Sequence, residues 1–293
     1  MADVLFSYDF LVVALGSMFL AIVASIVGCF SVYKGQSLIG DAIGHASYPG
    51  VILAFILFMS REPVLLMLGA IVIGSLAYIT IQSMVNHSKI SFDSSLAIVL
   101  SGFFGLGMVL KTYIQGHKAY LHLNQAGLKS YIFGSTAFIL KSDVYLILIV
   151  AIIVLLILYV FYKEILVSIF DRDYARSIGL KTGIVDFVLL IMMMSVIALG
   201  LKSVGAILIS SFLIIPCICA NQHTKKIKNV FVIAVLVSVV SSLVGVYFST
   251  IVNGLSTGPM IILCMGILTF LSFIFGKYGI LKQFYIKRGI EHE

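Results

Sequence analysis

Nine long apolar segments constrain the fold of this chain more than any other feature of its sequence. Of 293 residues, 61% are hydrophobic and only 11% are charged, whereas soluble domains are about half apolar and a quarter charged. A helix of about 20 residues crosses a bilayer. The sequence therefore predicts an all-α polytopic membrane protein with about nine transmembrane helices. The predicted spans are residues 9–32, 38–59, 64–86, 94–110, 143–162, 184–201, 203–220, 230–252 and 259–276.

Two regions fit this pattern less well. The joint between segments 184–201 and 203–220 is so short that we expect one of the two to be tilted or broken. Residues 112–140 are too polar for an ordinary span and too apolar at their end for a free loop. We expect a surface segment followed by a short, partly inserted helix.

The net charge of +7 is interpreted as a topology signal, because the basic residues gather in particular loops. With nine spans and the N-terminus outside, 13 of the 19 Lys and Arg residues lie on the cytoplasmic side. Cytoplasmic loops are enriched in these residues, so the C-terminus is expected inside. Membrane lipid is the expected surrounding, and nucleic acid is not an expected partner.

The four cysteines, Cys29, Cys217, Cys219 and Cys264, all lie in apolar runs. The Cys217-Ile-Cys219 spacing is not that of a zinc site. We predict small buried hydrophobic residues here, not metal ligands or disulfides.

An Asp and a His lie inside the second apolar run. Asp41 and His45 are four residues apart, so a helix places them on one face. Gly40 and Gly44 repeat this spacing on an adjoining stripe, which lets another helix approach closely. Pro49 has no N–H to donate to the carbonyl of His45. Ionisable groups at such positions usually face a cavity or the bundle interior.

These residues alone leave several interpretations open. Asp41 could cap the start of a helix while His45 packs in the core, or the pair could bind a cation. It could also relay protons in an ion-coupled secondary transporter, although no second Asp-x-x-x-His is present. An intramembrane metalloprotease would need a motif such as His-Glu-x-x-His, which the chain lacks.

The longest predicted cytoplasmic loop, about residues 163–183, carries a short amphipathic helix. Asp171 can cap this helix at its start, and Gly179 lies near its end. Its apolar side comprises Ile169, Phe170, Tyr174, Ile178 and Leu180. Composition does not decide whether this side lies on the membrane or docks into a partner.

Three blocks of the sequence resemble those of a known family. Residues 37–50 (SLIGDAIGHASYPG), 170–180 (FDRDYARSIGL) and 203–216 (SVGAILISSFLIIP) are similar, in this order, to the membrane permeases of manganese, zinc and iron ABC importers. The resemblance implies one transmembrane domain over residues 1–293, in a bacterial cell membrane, with a fold like the vitamin-B12-type importer permease. It also implies a second permease protomer, cytoplasmic ATPase subunits and an extracellular metal-binding lipoprotein.

The resemblance also implies roles for individual residues. Asp41 and His45 would contact a transported divalent metal, which is manganese, zinc or iron; no permanently bound cofactor is expected. The lack of a His-rich external loop favours manganese. The segment with Phe170, Asp171, Ala175 and Gly179 would couple the permease to its ATPase. The chain has no phosphate-binding Gly-x-x-x-x-Gly-Lys-Ser/Thr motif, so it is not itself expected to be an enzyme.

Overall fold

The computed structural model describes residues 8–60, 62–117, 136, 139–252, 254–280 and 282. Eleven α-helices occupy this part of the chain. They are α1 (Tyr8–Tyr33), α2 (Ile39–Ala46), α3 (Tyr48–Phe58), α4 (Pro63–His87), α5 (Phe92–Gly116), α6 (Lys141–Phe170), α7 (Arg172–Ser177), α8 (Thr182–Ser203), α9 (Ala206–Asn221), α10 (Ile227–Ile251) and α11 (Thr257–Phe275).

Among the described residues, eight helical segments are long and apolar enough to cross a membrane, with α2 and α3 together forming one of them. The remaining predicted span, residues 203–220, corresponds to α9, which has only 16 residues. Its length of about 24 Å is less than the hydrocarbon core of about 30 Å. The prediction of an all-α polytopic membrane protein is confirmed, and the number of nine spans is approximate.

The second span is divided at Ser47. Pro49 cannot donate a backbone hydrogen bond to the preceding turn, and α2 ends at Ala46 while α3 begins at Tyr48. The Ser47 hydroxyl donates to the carbonyl of Ile43 at 2.8 Å, as does the Ser47 N–H. Ser47 therefore supports the last carbonyls of α2 at the position where the regular hydrogen-bond pattern is interrupted.

The short joint between α8 and α9 is a two-residue turn. Gly205 has φ +86°, a left-handed conformation that glycine adopts readily. The N–H groups of Val204 and Gly205 both donate to the carbonyl of Gly200 at 2.8 Å. Both amides of the turn are therefore hydrogen-bonded to the last turn of α8.

Helix α6 is longer than the sequence analysis predicted. It has 30 residues, about 45 Å, and continues to Phe170. The helix continues past Lys163 because no helix-breaking residue occurs before Asp171, and the cytoplasmic position of residues 163–183 stays a prediction. In the irregular region, residues 112–116 belong to α5, and the predicted surface segment and inserted helix over 118–135 lie outside the described residues.

The chain divides into two compact units. The first comprises Met1–Ser37, Thr136–Leu148 and Ser211–Glu293. In it, α10 packs against both α1 and α11. Phe30 of α1 and Phe231 of α10 have ring centroids 5.0 Å apart. A Cβ on Gly245 would lie 2.6 Å from the Cα of Ile261, so only glycine allows this approach of α10 and α11.

The second unit comprises Leu38–Ser135 and Ile149–Ser210. Here α3 packs against α4 and α5, while α8 packs against α2 and α4. Backbones of α3 and α4 touch at two glycines, since a Cβ on either Gly50 or Gly69 would overlap the carbonyl oxygen of the other. The single transmembrane domain over residues 1–293 stays a prediction.

We predict that Gly50→Ala destabilises the chain. The new methyl group would overlap the Gly69 carbonyl, so α3 and α4 must separate, at a cost of about 1–3 kcal/mol. Gly266→Ala is the matched control, because nothing lies within 4 Å of its added Cβ. Thermal denaturation in detergent, followed by circular dichroism, should give a lower midpoint for Gly50→Ala alone. Equal midpoints would contradict the close approach.

The nine spans predicted from the sequence, α9 included, imply that the two ends of the chain lie on opposite sides of the membrane. In a cysteine-free background, a membrane-impermeant maleimide added outside should label Asp3→Cys and miss Glu291→Cys until the membrane is permeabilised. Labelling of both positions from one side would show that α9, or another predicted span, does not cross.

Candidate metal site and coupling surface

Helix α2 places Asp41 and His45 side by side. The His45 Nε2 and Asp41 Oδ1 atoms are 3.8 Å apart, and the two side chains are 21% and 42% exposed. All six other residues of α2 are buried. Two ligands about 2.1 Å from one tetrahedral ion lie about 3.4 Å apart. Small side-chain rotations would therefore let both groups reach one cation.

Phe104 of α5 supports the His45 ring. The edge of one ring meets the face of the other, with centroids 5.4 Å apart and an interplanar angle of 85°. Tyr48 also packs against Phe104, at 6.2 Å. The sequence analysis missed Phe104, because its position depends on the register between α2 and α5, which no local pattern specifies.

Tyr48 is a second residue that the sequence analysis missed. It begins α3 one turn after His45 and is only 2% exposed. Its hydroxyl oxygen has no hydrogen-bond partner among the described residues. A Cβ on Gly107 would lie 2.7 Å from the Tyr48 ring, so glycine at that position of α5 makes room for the tyrosine.

The break between α2 and α3 is held from two other helices. A Cβ on Gly74 of α4 would overlap the Ser47 hydroxyl and would lie 3.0 Å from the sulfur of Met194 in α8. Ser47 itself is 1% exposed. Tight packing around Ser47 therefore fixes the C-terminal end of the helix that carries Asp41 and His45.

The predicted packing residues have different surroundings. Gly40 and Gly44 are both buried. A Cβ on Gly44 would meet the Ala206 Cβ at 3.8 Å, which is ordinary contact. Pro49 lies against α5, since its ring would be 3.1 Å from a Cβ on Gly107. Close approach of another helix along the stripe of Gly40 and Gly44 stays a prediction.

The segment predicted to couple the permease to an ATPase folds as a capped helix. The Asp171 carboxylate accepts a hydrogen bond from the Tyr174 N–H at 2.8 Å, and Gly179 follows the helix with φ +83°. Ala175 is fully buried. The exposed apolar side chains around it are Phe170, Tyr174 and Ile178, which we call the coupling surface; they are 56%, 55% and 52% exposed.

An ion pair attaches this segment to the next long helix. The Arg172 Nη2 atom of α7 donates to Asp186 Oδ2 of α8 at 2.7 Å. The sequence analysis missed this pair, because opposite charges 14 residues apart give no signal until the turn between α7 and α8 is known. The coupling surface is thus held on α8 by a charged contact as well as by the chain itself.

The cysteines differ in burial. Cys29, Cys217 and Cys219 are buried, as the sequence analysis predicted, whereas Cys264 is partly exposed. Within the described residues, no group of three or more His, Cys, Asp or Glu side chains could hold a metal ion. A site of more than two such ligands built on Asp41 and His45 would need groups from outside this part of the chain.

The sequence model of the ABC 3 transport family matches residues 7–276. The chain belongs to this family. The resemblance found in the three sequence blocks is thereby confirmed. With the eight candidate spans, membership identifies a multi-pass protein of the bacterial cell membrane.

Individual relatives and a solved structure agree with the family. The chain is 34% identical over 279 residues to the zinc transport system membrane protein TroC of Treponema pallidum, covering 95% of this chain and 93% of TroC. It is 36% identical over 259 residues to the manganese transport system membrane protein MntC of Bacillus subtilis, covering 88% of this chain but only 59% of that relative.

The structural match extends over nearly the whole fold. PsaBC from Streptococcus pneumoniae, solved in complex with a Fab, superimposes with a TM-score of 0.81 at 28% sequence identity. The match covers 94% of this chain and 95% of that one. The helical arrangement of this ABC 3 family member is therefore that of an ABC transporter permease.

Proposed function

We propose that this chain is the permease subunit of an ABC importer that moves a divalent transition metal into the cell. The observation that carries the proposal is the Asp41–His45 pair, two potential metal ligands 3.8 Å apart on a helix that is otherwise buried. Because the chain belongs to the ABC 3 transport family, a transported metal is the ligand that we propose for this pair.

The chemistry of the pair suits transient binding of a cation during transport. A divalent ion must lose water before it crosses a low-dielectric barrier, and carboxylate oxygen and imidazole nitrogen can replace that water. Their combination binds less tightly than a cluster of thiolates would. A second protomer related by a two-fold axis would add another Asp and His, giving four ligands at the axis.

Manganese is the proposed substrate, with zinc as the second candidate. Carboxylate and imidazole ligands suit both metals, and the two relatives are named for manganese and for zinc transport. The absence of a His-rich external loop favours manganese.

The energy source is proposed to lie on separate subunits. The chain lacks a phosphate-binding Gly-x-x-x-x-Gly-Lys-Ser/Thr motif, so it would depend on cytoplasmic ATPase subunits. The coupling surface presents Phe170 as an aromatic anchor, which is the type of residue that dominates binding at many interfaces. An extracellular lipoprotein would deliver the metal.

The alternative is an ion-coupled secondary metal transporter with Asp41 and His45 as a proton relay. Family membership disfavours it. So does the lack of a second Asp-x-x-x-His, since secondary transporters often have internal repeats. Stable copurification with an ATPase would separate the two mechanisms.

We predict that Asp41→Asn and His45→Ala each reduce metal uptake by at least tenfold. Asp41→Asn replaces the anionic carboxylate with a neutral amide, which binds a cation more weakly, and His45→Ala removes the imidazole ligand. Uptake of radioactive manganese and of zinc by cells that depend on this permease would measure the effect, with membrane abundance checked by blotting.

A matched control for this experiment is the pair Asp93→Asn and His87→Ala. These residues are exposed near the turn between α4 and α5, and their replacement should leave uptake unchanged. Uptake at the unsubstituted level by the Asp41→Asn, His45→Ala double variant would refute the metal site and leave both residues with structural roles.

We predict that Phe170→Ala uncouples ATP hydrolysis from transport. The change removes an exposed aromatic group from the coupling surface without creating a cavity in the described core. ATPase activity and metal uptake of the reconstituted complex should both be measured. The control is Phe275→Ala, which removes a phenylalanine of α11 that is 72% exposed. Normal coupled transport by Phe170→Ala would assign the segment to the membrane surface instead.

A further inference from the structure

The ends of three long helices in the first unit carry a group of lysines with no acidic residue among them. Lys34 follows α1, Lys225 and Lys226 precede α10, Lys228 lies in the first turn of α10, and Lys277 follows α11. All of them are exposed except Lys34, which is partly buried. We call these five lysines the basic surface.

Contacts between α1 and α9 bring the first of these helix ends to the others. The Tyr33 hydroxyl, at the end of α1, donates to the Asn221 amide oxygen, at the end of α9, at 2.9 Å. Further along the same pair of helices, a Cβ on Gly28 would overlap the backbone carbonyl of Leu213. The two backbones are therefore in direct contact, and α1 ends beside the turn that leads from α9 to α10.

That turn packs against the chain that follows α11. The Tyr278 N–H donates to the Gln222 carbonyl at 2.9 Å, and a Cβ on Gly276 would lie 2.8 Å from the same oxygen. The Lys225 Nζ atom lies over the Tyr278 ring, 4.9 Å from its centroid. Lys277 stands between two residues that contact the turn, so it shares one surface with Lys225.

The first unit offers no nearby carboxylate to balance the basic surface. Residues 187–290 contain eight Lys and Arg residues but no Asp or Glu. The acidic residues that the structure describes in this unit are Asp9 and Asp143. Asp9 lies in the first turn of α1, about 36 Å from the other end of that helix. Asp143 lies in the first turn of α6, and its neighbours pack against Gly16 of α1. Like charges repel, so an anion bound to the basic surface would relieve this repulsion.

The position of the basic surface along the helices fits lipid headgroups. Candidate membrane spans end at Tyr33 and Phe275 and begin at Ile227, each within two residues of one of the lysines. Apolar side chains are exposed on the adjoining turns, with Phe275 72% and Val232 59% exposed. A lysine can lay its apolar stem along such a surface while its ammonium group reaches the headgroup region.

We propose that the basic surface binds the phosphate groups of anionic phospholipids, in the leaflet that faces the cytoplasm in the predicted topology. Clusters of Lys and Arg next to the cytoplasmic ends of spans attract anionic lipids. Charge complementarity favours a headgroup with net negative charge over a zwitterionic one. An acidic face of a protein subunit would match the lysines but not the exposed apolar side chains beside them. Lipid binding at this surface does not depend on the proposed function.

The test uses the full-length permease, purified in detergent with any subunits that copurify, and titrated with phosphatidylglycerol or with phosphatidylcholine of identical acyl chains. Native mass spectrometry counts the bound lipids. We expect phosphatidylglycerol to bind at least about tenfold more tightly, because each lysine near an anionic headgroup contributes about a fivefold gain. Raising ammonium acetate from about 0.05 M to about 0.5 M should weaken this binding severalfold, since salt screens exposed charges. Equal binding of the two lipids would overturn the proposal.

Two sets of substitutions assign the binding to the basic surface. Changing Lys225, Lys226 and Lys228 together to Gln should make phosphatidylglycerol bind about as weakly as phosphatidylcholine, whereas changing all three to Arg should preserve the preference, because the charge is kept. The matched control removes the same charge from three exposed lysines that each have an acidic residue within five positions. Its substitutions are Lys89→Gln, Lys141→Gln and Lys181→Gln.

Each result of this comparison decides the proposal. The lipid preference should survive in the control, and its loss there as well would show an effect of net charge alone and overturn the assignment. A triple Gln variant that keeps the preference but no longer retains a copurifying subunit would assign the surface to a protein partner instead. Circular dichroism checks folding. If the triple variant does not fold, Lys277→Gln carries the same test, with an expected loss of about fivefold in phosphatidylglycerol affinity; unchanged affinity would overturn the proposal.

Discussion

Backbone hydrogen bonding in a medium without water is the constraint on which this structure depends. Inside a bilayer each unpaired N–H or C=O group costs several kcal/mol, so a spanning segment must satisfy its own backbone. Two helices are interrupted inside apolar regions, and both interruptions follow this rule. Between α2 and α3, the Ser47 hydroxyl and N–H both donate to the carbonyl of Ile43. Between α8 and α9, the carbonyl of Gly200 accepts hydrogen bonds from two N–H groups.

Once the helices form, glycine decides where they meet most closely. Lipid is as apolar as leucine, so burial of apolar surface alone gives little reason for helices to associate in a membrane, and packing distance becomes decisive. The contacts at Gly50 and Gly69, at Gly28, and at Gly245 are all ones that a Cβ would prevent. Likewise, the lack of a side chain at Gly74 leaves room for the Ser47 hydroxyl.

The sequence predicted the features that depend on local patterns, but not the contacts that depend on the register between packed helices. Hydropathy located the spans, and Asp171 with Gly179 predicted the limits of α7. The break between α2 and α3 lies inside what the sequence analysis treated as one span, residues 38–59. Helix α6 continues eight residues beyond the predicted span 143–162, because a charged residue such as Lys163 does not by itself end a helix. The contacts of His45 with Phe104 and of Arg172 with Asp186 depend on how helices are placed beside one another.

Within the second unit, packed elements connect the coupling surface to the helix of the proposed metal ligands. Helix α7 is attached to α8 through Arg172 and Asp186, and the Met194 sulfur of α8 lies near Gly74 and the Ser47 break. Since α8 also packs on α2, a displacement of α7 has a continuous path of contacts toward Asp41 and His45. Spatial continuity is not energetic coupling; a double-mutant cycle between the ion pair and Met194, read out by transport, would measure the coupling itself.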